Sequence, residues 1–172
     1  MQRRNAIKNL SLAFGGLVSL PSWASNWTPE SIGKTSNLPL NDEELLGDIV
    51  ETIIPETTTP GAKSLKVHQF AARMINDCYG EAAQKNLKDG LKATEVLAQQ
   101  SYQKSFSALD ASQKKALFNQ MLSSSDATAK TFANTIKRLT IQGYTNSEYY
   151  MVNVIKFNMA PGFYHGCVPV KA

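Results

Sequence analysis

At 172 residues, 42% hydrophobic and 19% charged, the chain is long enough for one domain with its own core. Its 18 Lys and Arg exceed its 14 Asp and Glu, but Arg3, Arg4 and Lys8 fall in the first 24 residues beside no acid, leaving 15 basic against 14 acidic residues beyond them. A nearly neutral domain offers no cationic face for nucleic acid, and no stretch reaches the roughly 20 apolar residues of a membrane-spanning helix.

Residues 1–24 have the layout of an export signal: a charged start, an apolar run over residues 10–20, and Pro21-Ser22-Trp23-Ala24 as a small-residue cleavage site. Arg3-Arg4-Asn5-Ala6-Ile7-Lys8 is similar to a twin-arginine signal, with Ala6 where an aromatic residue or Leu is usual and Gln2 where Ser is usual. The expectation is cleavage after Ala24, export to the periplasm by the twin-arginine route, and no membrane span after cleavage. Residues 25–40 are polar, with Pro29, Gly33 and Pro39, and read as a tether. Residues 41–172 form the predicted domain.

The domain begins with helical signals. Asp42, Glu43 and Glu44 suit the positive end of a helix dipole, and Leu45, Leu46, Ile49, Val50, Ile53 and Ile54 repeat at helical spacing until Pro55 stops them. Residues 55–62 read as a stiff loop, with Pro55 and Pro60 fixing φ and Gly61 allowing a turn. A second helix is predicted over residues 65–79, with Val67, Phe70, Ala71, Met74, Ile75 and Cys78 on one side. A long third spans residues 81–102; Gly90 weakens it without breaking it.

Phe106 and Leu109 then pack ahead of Asp110-Ala111-Ser112-Gln113, a capping box for a helix whose apolar face is Ala116, Leu117, Met121 and Leu122. Asp126 caps the next, which carries Phe132, Ile136, Leu139 and Ile141 and is predicted to end at Gly143 in a left-handed cap. Thr145-Asn146-Ser147-Glu148 reads as a further capping box launching a helix from Tyr149. The closing segment, with Pro161, Gly162, Gly166 and Pro169, cannot continue it. No strand pattern appears, so the predicted fold is all-α with roughly six helices.

The residues assemble no catalytic set. His68 and His165, the two histidines, are in no paired metal spacing, and phosphate-binding glycine loops and a nucleophile elbow are missing from the sequence. His165-Gly166-Cys167 places a thiol near a base, but on a short glycine-containing tail that would hold it poorly. Cys78 and Cys167 are the two cysteines, which in an exported chain favours a disulfide. Closing that loop of roughly 90 residues would contribute about 4 kcal/mol by chain entropy; the alternatives are two buried thiols or one thiol paired to a partner chain. Six of the 15 aromatic residues follow Gly143, including Tyr144, Tyr149, Tyr150, Phe163 and Tyr164. Tyr149 and Tyr150 would point about 100° apart on a helix, so these five are candidates for a partner interface or for the core directly beneath it.

Four blocks in order now suggest a family: the twin-arginine leader; Ile53-Ile54-Pro55 with Pro60-Gly61-Ala62; Gly143-Tyr144-Thr145-Asn146-Ser147-Glu148-Tyr149-Tyr150; and Pro161-Gly162-Phe163-Tyr164-His165-Gly166-Cys167-Val168-Pro169. Together they resemble the gluconate 2-dehydrogenase subunit 3 family over residues 41–169. Thr57-Thr58-Thr59, without an acidic residue, and Asn146 depart from its usual pattern. The resemblance implies a non-catalytic small subunit that binds, stabilises and escorts a large FAD-containing dehydrogenase of the glucose-methanol-choline type, acting on a sugar or sugar acid such as gluconate. It implies FAD on that partner, haem c on a third, cytochrome subunit, and no cofactor or metal on this chain. The competing expectation is a stand-alone periplasmic ligand-binding protein or enzyme using the Tyr-rich C-terminal region.

Overall fold

A computed structural model describes residues 38–158. The proposed export signal (Arg3, Arg4, Lys8, Ala24), most of the tether, and Phe163, Tyr164, His165 and Cys167 lie outside the described residues. Within them the secondary structure is helical, with no strand.

Five α-helices follow in order: α1 (Leu40–Ile53), α2 (Val67–Cys78), α3 (Glu81–Tyr102), α4 (Ala111–Ser123) and α5 (Ala127–Thr145). A 3-10 turn, Phe106–Ala108, precedes α4, and a π-helical turn, Tyr150–Val154, follows α5. The ends obey local chemistry. Asp42 and Glu43 occupy the first turn of α1, where negative charge is favoured. Gln113 accepts the Asp110 N–H at 3.2 Å in the expected capping box, and the Asp126 carboxylate accepts from the Thr128 N–H at 2.9 Å. Each such cap contributes about 1 kcal/mol.

Helix α5 is the post around which the others stand, packing against α1, α2, α3 and α4. Its apolar stripe of Phe132, Ala133, Ile136 and Leu139 meets Leu46 and Ile49 of α1, Ile75 of α2, Leu91 of α3 and Met121 of α4 in a single buried core. The two buried polar side chains among the described residues cost little: Thr94 Oγ1 donates to the Gly90 carbonyl and Thr140 Oγ1 to that of Ile136, each at 2.8 Å within its own helix. Gly90, expected as a weak point, is where the Phe132 ring crosses α3. A Cβ added there would lie 2.2 Å from Phe132 Cγ.

Several expectations change. Ile141 is 46% exposed, because it lies two residues and about 200° around the helix from Leu139. Phe118 and Ala72 are buried where Ala116 and Cys78 were expected, and both of the latter are exposed. Gly143 is not a left-handed cap: α5 runs through it to Thr145. It is a helix-crossing residue, where an added Cβ would meet Phe70 Cδ1 at 2.6 Å and Val67 Cγ1 at 2.9 Å. The capping box at Thr145 does not form, since Thr145 is the last residue of α5 and its hydroxyl donates back to the Ile141 carbonyl at 2.9 Å. Ser147 starts the next segment instead, a short sixth helical element with π hydrogen bonding over Tyr150–Val154.

Asp48 ties α1 to its neighbours. Its carboxylate pairs with Lys63 at 2.5 Å and Lys114 at 3.7 Å. Burial alone would raise its pKa, but hydrogen bonds from Lys63 and Ser107 and the charge of Lys114 hold it below the ordinary carboxylate value. The Lys114 ammonium also sits 5.7 Å from the Phe106 ring centroid.

Candidate functional site

The candidate site is the corner where the loop after α1 meets the end of α5. Sequence assigned the loop's stiffness to its prolines; the structure adds a carboxylate. Glu51, near the end of α1, accepts the backbone N–H of Glu56 at 2.6 Å and of Lys63 at 2.9 Å. One side chain thus holds both ends of the loop. Gly61 packs directly on it, and an added Cβ would stand 2.4 Å from Glu51 Oε1 and 2.6 Å from the Glu56 nitrogen. This explains the glycine more sharply than turn propensity does. The Ala62 N–H closes the loop on the Ile54 carbonyl at 2.9 Å, and the Glu56 carboxylate accepts from the Ser64 hydroxyl. The pattern that could have revealed Glu51 is an acidic residue one turn before a proline-ended helix, ahead of a glycine loop.

The tyrosines divide by role. Tyr144, half-buried against the core, donates its hydroxyl to the Pro60 carbonyl at 3.1 Å, fixing α5 to the loop across 84 positions. Its ring meets Tyr150 edge-on, with centroids 5.9 Å apart at 62°. Ser147 hinges the two elements: its hydroxyl donates to the Tyr144 carbonyl at 2.6 Å and accepts from the Tyr150 N–H at 3.3 Å. Tyr149 points away from this pair, as the 100° spacing predicts, and lines an open groove of about 610 Å³ between the start of α2 and the π-helical turn. Leu65, Val67, Phe70 and Val152 supply the groove's apolar lining, and Glu148 its one charged side chain among the described residues.

From the groove's edge at Val152 the chain exposes a run of apolar residues. Val152, Val154, Ile155 and Phe157 are 52–56% exposed. Four large apolar side chains within six residues form a patch of the kind that marks an interaction surface. The backbone is strained at both edges: Lys66 and Lys156 have φ of 54° and 55°, left-handed values that cost a non-glycine residue about 1–2 kcal/mol each.

His68 sits beside the site on α2. Its Nε2 lies 3.9 Å from Glu43 and its buried Nδ1 has no hydrogen-bond partner. Burial holds its pKa below the ordinary histidine value; nearby Glu43 opposes this and Lys63 and Lys66 reinforce it. Among the described residues no group of three His, Cys, Asp or Glu side chains could hold a metal ion, and no helix is long and apolar enough to cross a membrane.

Compared with known proteins, residues 41–162 match the family described as gluconate 2-dehydrogenase subunit 3. Apart from Leu40, the first residue of α1, that span covers the five α-helices of the described residues, the braced loop and the aromatic corner. No curated protein and no solved structure matches the chain.

Proposed function

Because the chain belongs to the gluconate 2-dehydrogenase subunit 3 family, whose members are subunits of dehydrogenase complexes, we propose that it is the non-catalytic small subunit that binds, stabilises and escorts the complex's large subunit. In this reading the large subunit is an FAD-dependent dehydrogenase of the glucose-methanol-choline type acting on a sugar or sugar acid. FAD is held there, and haem c on a third subunit. The signal at Arg3 and Arg4 sends the assembly to the periplasm by the twin-arginine route. Machinery that moves folded proteins can carry a bound partner that has no signal of its own.

The observation that carries the reading is the exposed apolar run Val152, Val154, Ile155 and Phe157 beside a braced corner. Leaving such a patch in water is unfavourable, at about 25 cal/mol per Å² of apolar area, and covering it with a partner recovers that cost. Rigidity helps as well, because a surface already fixed by Glu51, Tyr144 and Ser147 loses little entropy when a partner docks. Cys78, exposed at the end of α2, is available to Cys167 or to a thiol of the partner.

Co-expression with the large subunit followed by cell fractionation tests the escort role. Both proteins should reach the periplasm together, and replacing Arg3 and Arg4 by Lys should retain both in the cytoplasm. A large subunit that reaches the periplasm normally without this chain contradicts the proposal. The groove at Tyr149 also admits the competing reading, a stand-alone ligand-binding protein or enzyme. In that case the purified chain alone would show turnover, or melt at a higher temperature with a ligand.

A further inference from the structure

We propose that the groove between α2 and the π-helical turn receives a cationic amphipathic segment of the large subunit, an inference that rests on the accessory-subunit reading above. Its apolar lining of Leu65, Val67, Phe70 and Val152 continues outward into exposed Val154, Ile155 and Phe157. A volume of about 610 Å³ suits a few anchoring side chains, as when one face of a helix enters a groove through residues spaced three and four apart.

The sign of the partner's charge follows from what surrounds that lining. Glu148 is the one charged side chain lining the groove among the described residues; it is exposed and has no ion pair. Two further carboxylates, Glu51 at the end of α1 and Glu56 on the loop after it, make no ion pair among the described residues and lie outside the groove's lining. Glu51 is bonded to backbone N–H groups and Glu56 to the hydroxyl of Ser64, next to the lining residue Leu65. Lys63 is turned to Asp48. Lys66 and Lys156 flank the site in sequence and neither lines the groove. An apolar lining whose one charged side chain is the unpaired carboxylate of Glu148 selects a segment whose apolar face carries Lys or Arg at its edge, and disfavours an acidic one.

The test uses the full-length chain and the large subunit purified together, with affinity measured at low and at raised salt. Glu148→Lys and Val152→Asp should each weaken binding at least tenfold. Glu148→Gln, which keeps size and removes charge, should weaken it severalfold and flatten the salt dependence. Lys92→Glu, an exposed change on α3, should bind as wild type, and circular dichroism should show all four equally helical. Wild-type affinity in the Glu148 and Val152 variants, or binding indifferent to salt in the unaltered pair, overturns the groove assignment while leaving the accessory role standing. A wild-type chain that self-associates through the patch, with Val152→Asp abolishing the dimer, overturns it in favour of a second copy. An unaltered chain with no affinity for the large subunit overturns both readings.

Discussion

The hydroxyl of Tyr144 donates to the carbonyl of Pro60 at 3.1 Å, joining the last turn of the central helix to a loop 84 residues earlier. This contact lets α5 serve two purposes. Its middle fills the core, and its end braces a corner that reaches the surface, with Ala62 buried in the core and Tyr144 packed against it. Tyr150, stacked edge-on against the same ring, passes the brace to the apolar residues that follow.

Replacing Tyr144 by Phe removes the hydrogen bond and keeps the ring contact. The expected loss is about 1 kcal/mol of unfolding free energy, the net worth of one such bond, with faster amide exchange confined to residues 55–62. Chemical denaturation and hydrogen exchange together check this. Unchanged protection in the loop would show that Tyr144 does not hold it.

Gly90→Ala separates helix propensity from packing. In an exposed helix the change would stabilise by up to about 1 kcal/mol. Here the new methyl meets the Phe132 ring, 2.2 Å from Cγ, so the protein should lose about 1–3 kcal/mol through overpacking. The paired change Gly90→Ala with Phe132→Leu should recover part of the loss, and a stabilised single variant would refute the crossing of α3 and α5 described above.

Glu51→Gln leaves the loop with one accepting oxygen where two now serve Glu56 and Lys63. Stability should fall by about 1 kcal/mol, since these bonds face solvent and are screened. Limited proteolysis should cut first within the threonine run, Thr57-Thr58-Thr59. Persistence of a protease-resistant loop would shift the weight back to Pro55 and Pro60.

Stability should depend on pH in two windows. The imidazole of His68 is held below its ordinary value of about 6.5, so the unfolded chain takes up its proton first as pH falls, and stability declines from about pH 6.5 downward. The carboxyl of Asp48 is held below 3.8, so its contribution is complete above that value and is lost as pH falls through its folded-state pKa. Denaturation curves from pH 7 to pH 3 should show both declines. His68→Gln should remove the first and Asp48→Asn the second.

Helix placement was legible from sequence because it rests on local signals. Apolar spacing, the Asp110 and Asp126 caps and the stop at Pro55 located α1, α3, α4 and the start of α5 to within a residue or two. Gly143 misled because a helix-ending glycine and a helix-crossing glycine look alike until the opposing side chains, Val67 and Phe70, are known. Glu51 was missed for a related reason: its partners are backbone groups, which carry no residue signature. The tyrosine cluster was recognised as special, but its division into bracing residues, Tyr144 and Tyr150, and a groove residue, Tyr149, depends on a turn at Ser147 that local capping rules place two residues too early.

As proposed, this chain holds a flavin enzyme. Affinity purification of the full-length chain from cells co-expressing the large subunit, with an absorbance spectrum of the eluate, tests it most directly. The eluate should contain a stoichiometric large subunit with a flavin spectrum and sugar-oxidising activity that the small chain alone lacks. Recovery of the chain alone, colourless and monomeric, from cells rich in soluble large subunit would contradict it.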